Sequence, residues 1–214
     1  MCRRTLSLCF FLVAALPAVA STIISQTASL TNNRSPQMYA SWTIPTPDTF
    51  SGVNIAANLA SEDGNAASCN AYLVTTQPPT NAASLATNLG VGTSSTAFVP
   101  ITLFTGLTLG PGSYYLVLGP VTSNLLVQTA TPGNTTVTTY PGVNAGADLF
   151  ATGASQSYGP ASTFGTKNAL ILFSVTGSLG ATSVPTLSLW AMLATALFLA
   201  VSGLLFVRRF KTAA

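Results

Sequence analysis

Val53-Asn54-Ile55-Ala56-Ala57-Asn58-Leu59 alternates at a strict period of two. In an extended chain that spacing puts Val53, Ile55, Ala57 and Leu59 on one face and Asn54, Ala56 and Asn58 on the other. The stretch therefore reads as a half-buried strand, and the neighbouring sequence repeats the theme. Further strands are expected over Asn70–Thr76, Ala97–Phe104, Ser113–Leu118 and Ala169–Thr176, with weaker ones over Thr22–Ala28 and Met38–Ile44. Gly64-Asn65, Gly110-Pro111-Gly112, Pro132-Gly133-Asn134, Pro141-Gly142 and Gly159-Pro160 punctuate them as turns. The one stretch with helical character, Ala82–Asn88, has room for a turn or two. Many short strands between turns predict an all-β domain, a single antiparallel β-sandwich of jelly-roll-like type.

Composition fits that reading. Hydrophobic residues make up 48% of the 214 residues and charged residues only 5%, against about 25% charged in ordinary soluble domains. The polar surface must come from Ser, Thr, Asn, Gln and Gly, which suit strands and turns. The net charge of +3 is unevenly placed. Arg3, Arg4, Arg208, Arg209 and Lys211 lie at the ends. Arg34 and Lys167 (+2) against Asp48, Glu62, Asp63 and Asp148 (−4) leave the middle near −2. No basic patch exists there, so no nucleic-acid partner is expected.

The first 20 residues have three parts: basic Arg3 and Arg4, an apolar run from Leu6 to Val19 broken at Pro17, and small residues at Ala18 and Ala20. This is the layout of a secretory signal peptide, with cleavage expected between Ala20 and Ser21. Cys2 and Cys9 would leave with it. Cys69 then has no internal partner and is expected to be a buried small hydrophobe. At the other end, residues 187–207 are uncharged and apolar for about 31 Å of helix, enough to span a bilayer core. Trp190 stands near the entrance, and Arg208, Arg209 and Lys211 follow the exit as a topogenic stop, placing the domain outside the cytoplasm. The expected organisation is a signal peptide (1–20), an extracytoplasmic domain (21–183) and a sorting or anchor tail (184–214) with one transmembrane helix.

Val184-Pro185-Thr186-Leu187-Ser188-Leu189-Trp190 precedes that helix. A short proline motif, a hydrophobic helix and a terminal Arg cluster together resemble C-terminal sorting signals of Gram-negative bacteria. The specific resemblance is to the IPTL-type variant, a relative of the PEP-CTERM class. Val184, Pro185, Thr186, Leu187, Ser188 and Trp190 fit its pattern; Leu189 departs from it, where an acidic residue is common. The resemblance covers about the last 30 residues. It implies an exosortase-like sorting enzyme as partner and cutting near Val184–Leu187. A second stretch, Phe104–Leu109 followed by Gly110-Pro111-Gly112-Ser113-Tyr114-Tyr115-Leu116, resembles a hairpin of secreted bacterial β-sandwiches that precede such tails.

Catalytic chemistry is hard to assemble from what remains. The chain has no histidine, which removes the usual general base and Ser-His-Asp or Cys-His arrangements. Glu62 and Asp63 are adjacent in Ser61-Glu62-Asp63-Gly64-Asn65, and neighbouring strand residues point to opposite faces, so a solvated turn is expected rather than a catalytic pair. The same turn offers oxygens to calcium, but its spacing matches no familiar calcium loop. No cofactor is expected. Asn33-Arg34-Ser35 and Asn134-Thr135-Thr136 match glycosylation sequons and are read as loops, and the Thr135–Thr139 region would accept O-linked sugars. Tyr39, Trp42, Tyr72, Tyr114, Tyr115, Tyr140 and Tyr158 are the remaining handle. Trp42 is expected in the core, and of Tyr114 and Tyr115 one is expected inward and one outward.

These observations predict a non-catalytic cell-envelope or extracellular-matrix protein, displayed or released through its tail. The alternative is a surface-displayed carbohydrate-binding module with a polysaccharide partner. A planar row of exposed aromatic rings would favour the alternative, and a smooth Ser/Thr/Asn surface the structural role.

Overall fold

The computed structural model describes residues 20–29, 32–34, 38–78, 84–151, 164–166, 170–180 and 196–198. Two compact units are present, Met1–Gly180 and Ala181–Ala214. In the first, the strands are β1 (Ser21–Ala28), β2 (Asn32–Arg34), β3 (Met38–Ile44), β4 (Phe50–Ser61), β5 (Ala67–Val74), β6 (Ala86–Thr93), β7 (Val99–Leu109) and β8 (Gly112–Pro120). They continue with β9 (Leu125–Ala130), β10 (Thr135–Thr139), β11 (Asn144–Ala145), β12 (Leu149–Ala151), β13 (Phe164–Thr166), β14 (Leu170–Ile171) and β15 (Phe173–Leu179). Among the described residues one 3-10 turn, Pro132–Asn134, lies between them.

All strand pairs are antiparallel and form two sheets. In the first sheet β4 is central, with β15 on one edge and β7 on the other. β1 lies beyond β15, β10 lies beyond β1, and β9 continues from the end of β4 to pair with β2 and β14. The second sheet runs β13-β12-β3-β8-β5-β6, with β11 also on β3.

The alternation that announced β4 places its side chains as expected. Val53, Ile55, Ala57 and Leu59 are fully buried, while Asn54 is exposed and Asn58 half-buried. They join Trp42 and Leu116 from the second sheet and Phe173 and Val175 from the first in one shared core. Each large side chain so buried contributes about 1.5–3 kcal/mol. Gly177 of β15 faces this core because a Cβ there would lie 2.9 Å from Val53. Cys69 is buried and unpaired, and burial pushes its thiol up to about 12.

Three expectations are corrected. Asn33 and Arg34 of the first sequon lie in β2, opposite Gln128 and Val127 of β9, rather than in a loop. Ala86–Asn88 open β6 rather than a helix; the Leu85 amide donates to the Leu73 carbonyl at 2.7 Å and the pairing with β5 follows. Sheet pairing outweighs the helix preference of alanine here. The Phe104–Leu116 stretch is not a hairpin either. β7 pairs with β4, whereas both edges of β8 are taken by β3 and β5, so Gly110-Pro111-Gly112 carries the chain from one sheet to the other. The Tyr114 hydroxyl donates to the Gly110 carbonyl at 2.8 Å and ties the crossing to the core.

Among the described residues no helix is long and apolar enough to cross a membrane. The expected span, 187–207, lies outside the described residues except for 196–198, which are helical. The signal segment through Val19, including Ala18, lies outside them as well. So do the motif Val184–Trp190, the basic group Arg208, Arg209 and Lys211, and also Tyr158 and Lys167. Ala20 is exposed, and β1 opens at Ser21, whose hydroxyl donates to the Gly177 carbonyl.

Candidate functional site

Strand periodicity decides what each sheet shows to solvent. In β3, Met38, Ala40, Trp42 and Ile44 face the shared core, which turns Tyr39, Ser41 and Thr43 outward. In β8, Tyr114, Leu116 and Leu118 face inward, leaving Ser113, Tyr115 and Val117 on the outer face. The register sets Tyr39 opposite Val117, Ser41 opposite Tyr115 and Thr43 opposite Ser113. β5 adds Tyr72 opposite Val117 and Val74 opposite Tyr115. Tyr39, Val74 and Val117 form a second, smaller apolar cluster with Tyr72 and Tyr115 against it.

Beside this cluster is a groove of about 220 Å³. Tyr39 and Tyr115 meet edge to face, 5.7 Å apart at 77°, and form one corner. Ser41, Thr43 and Ser113 contribute hydroxyls; Thr43 Oγ1 and Ser113 Oγ share a hydrogen bond of 3.1 Å. Gln77 stands at the lip and donates its amide to the Tyr39 hydroxyl at 3.3 Å. The opposite wall is Gly146 and Ala147. Gly146 must lack a side chain, because its Cβ would collide with the Ser41 hydroxyl. The Gly146 amide donates to the Ser41 carbonyl, and Ser41 Oγ donates to the Ala147 carbonyl, both at 2.8 Å. No lining residue is charged. A second groove of about 470 Å³ is lined by small residues such as Ser68, Gly90, Gly92 and Thr122, with no aromatic or ionisable group.

The groove wall is bolted to the first sheet through its next residue. Asp148 is 4% exposed. Its Oδ2 accepts the Ile171 amide at 2.8 Å and the Gln26 side-chain amide at 3.0 Å, while that amide also donates to the Ile171 carbonyl at 2.7 Å. Oδ1 is buried without a partner among the described residues. Burial pushes the Asp148 carboxyl up to about 7, overriding the hydrogen bonds that favour its charged form.

No family model, curated protein or solved structure matches the chain. The site must be read from its own geometry.

The turn with the adjacent acids has a structural occupation. Asp63 Oδ1 accepts from the Ser61 hydroxyl (3.0 Å), the Asn65 amide nitrogen (3.0 Å) and Asn124 Nδ2 (2.8 Å); Oδ2 accepts from Asn65 Nδ2 (2.8 Å). These donors, the Asn124 amide foremost, hold its carboxyl well below the usual carboxylate range. Both Asp63 oxygens are thus engaged in holding the turn. Among the described residues no group of three or more His, Cys, Asp or Glu is placed to hold a metal.

The other aromatics are accounted for as well. Trp42 is fully buried, stacked on Tyr114 (5.8 Å, 21°) and tilted against Phe173 (5.7 Å, 34°). Tyr114 is inward and Tyr115 half-exposed and outward. Tyr140 packs edge-on against Phe50. Asn134 is exposed in its turn and its side chain donates to Thr131. Sequence reading singled out Tyr39, Tyr72 and Tyr115 but missed Ser41, Thr43, Gln77, Ser113 and Gly146. The available signal was the outward phase of β3 and β8, which puts Tyr39, Ser41 and Thr43 in line with Ser113 and Tyr115.

Proposed function

We propose that this is an exported, non-catalytic envelope or extracellular-matrix protein, carried to the membrane by its C-terminal tail and processed there. The observation that carries the proposal is the tail itself: Val184-Pro185-Thr186-Leu187-Ser188, the apolar run after it, and Arg208, Arg209 and Lys211. A short Pro motif, a membrane-length apolar run and a basic stop form one address, and an exosortase-like enzyme would read it in the membrane. The displayed body is a jelly-roll-like sandwich. Supporting that finer reading, β1-β15-β4-β7 in one sheet and β3-β8-β5-β6 in the other reproduce the interleaved order of two Greek keys, with β9–β14 inserted before the last strand.

A second reading, a carbohydrate-binding module, is favoured by the tyrosine groove. The test of the leading reading is the intact mass of the mature protein from envelope and medium. It predicts a species that begins at Ser21 and ends near Val184–Leu187. A surface species retaining Arg208 and Arg209 would overturn the sorting step and leave a simple membrane-anchored domain.

A further inference from the structure

We infer that the groove on the outer face of the second sheet seats a single neutral sugar ring, a chain end or side branch, rather than a stretch of flat polymer. This deepens the carbohydrate-binding reading and rests on it. The lining chemistry selects the ligand class. Around the buried Tyr39 and Ser41, Thr43 and Ser113 supply hydroxyls, Gln77 an amide and Tyr115 ring surface, with no charged group among the lining residues. A cationic or anionic ligand would enter without a counter-charge and lose its hydration, so a neutral polyol is the fitting guest. Serine and threonine hydroxyls rotate to donate or accept as a ring hydroxyl requires.

Shape selects the mode. A row of coplanar exposed rings would receive an extended chain, but Tyr39 is 1% exposed and meets Tyr115 at 77°. That leaves the partly buried Tyr115 as the ring that reaches the groove surface, beside the Thr43 and Ser113 hydroxyls. The volume of about 220 Å³ falls below the roughly 300–1,000 Å³ of sites that enclose drug-sized ligands, and suits one ring. The main-chain wall at Gly146 permits the approach, since any side chain there would fill the Ser41 side of the groove.

The experiment is affinity electrophoresis of the mature full-length protein on neutral glucans, mannans and galactans, with a uronate polymer as the acidic control. Retention on at least one neutral glycan is expected, and the free monosaccharide should compete for it. Tyr115→Ala and Gln77→Ala should each weaken retention, Tyr115→Ala by about tenfold. Gln77 is exposed, so its variant keeps the test valid if Tyr115→Ala unfolds. Ser174→Ala on the opposite sheet should bind as the parent does. Retention on a neutral glycan unchanged in both groove variants would overturn the groove but leave the carbohydrate reading standing. Retention on none of the neutral glycans, or on the uronate polymer alone, would overturn both.

Discussion

The outer faces of the two sheets follow the same alternation and end in different surfaces. On the first sheet the register lines up Thr138, Ser25, Ser174, Ala56 and Thr102 in one row across five strands, and Thr22, Thr176 and Asn54 in another. On the second sheet the corresponding outward positions Tyr39, Val74 and Val117 are buried, although they point away from the shared core. The first face is a carpet of small uncharged polar groups; the second has a satellite core with a groove at its margin. Strand twist separates their uses. At roughly 20–25° per strand, the five-strand row fans through about 80–100°, so its hydroxyls cannot meet one flat partner. A groove confined to β3, β8 and the Gly146–Ala147 wall is far less affected by twist. An uncharged surface of either kind keeps ionic partners away; only the second adds shape.

The largest expected effect is at Asp148, which joins the groove wall to the first sheet. Its folded value is about 7 against an ordinary 3.8. Below the ordinary value both folded and unfolded chains are protonated, and the stabilisation from this group is fully present. As pH rises through 7 the folded protein must either hold a buried charge or open, and the stabilisation is lost. By linkage the drop between pH 4 and 8 is on the order of 4 kcal/mol. The melting temperature of the parent should therefore fall over that interval, and Asp148→Asn should flatten the fall. A parent curve flat across the interval would show that the carboxyl is compensated in the folded state, and the wall would then be pH-independent.

Next in size is the contrast between the outer faces themselves. Val117 is fully buried on the second, so Val117→Ala should cost about 2 kcal/mol in denaturant unfolding. Ser174, half-buried on the first face, should change stability by no more than about 0.5 kcal/mol as Ser174→Ala. Equal losses at the two positions would erase the distinction between carpet and satellite core.

How much of this was legible depends on where the information sits. β3, β4, β5, β8 and β15 were visible because their inward residues recur at period two. β1 and β7 were visible as apolar and β-branched runs between turn signals, although Ile23-Ile24 and Leu103-Phe104 break the alternation where the register shifts. β6 was not, since Leu89-Gly90-Val91-Gly92 carries little inward bulk, and Gly92 lies tight against the Ala67 main chain. The short β11–β13 were also invisible, because their pairing is fixed by partners distant in sequence; Asn144 meets Thr43 and Leu149 meets Tyr39. β14 and β15 read as one strand over Ala169–Thr176, and only their different partners divide them: Leu170 meets Ala130, and Phe173 meets Ala57. The inward placement of Trp42 and the split of Tyr114 from Tyr115 followed from local phase. The buried Asp148 with Gln26 and Ile171 did not, as three residues so far apart meet only in the folded chain. The groove lay between these cases: its outward residues could be phased strand by strand, but the register that gathers them could not.

The smallest effect is expected at the turn where the chain passes from β4 in the first sheet to β5 in the second. Asp63 is exposed and held by Ser61, Asn65 and Asn124. Its carboxyl lies below the ordinary 3.8, so its contribution is present above that value and fades as pH falls through the folded value, opposite in sign to Asp148. Because water screens an exposed carboxylate, the consequence should be local. Asp63→Ala is expected to speed hydrogen exchange at the Asn65 amide, which donates to Asp63 Oδ1, while the melting temperature scarcely moves. Amides of β3 and β8 under the groove should be untouched, since the turn shares no hydrogen bond with them. Faster exchange spreading into β8 would mean that the crossing between sheets and the outer face of the second are one cooperative unit, and the two faces would then have to be treated as coupled surfaces.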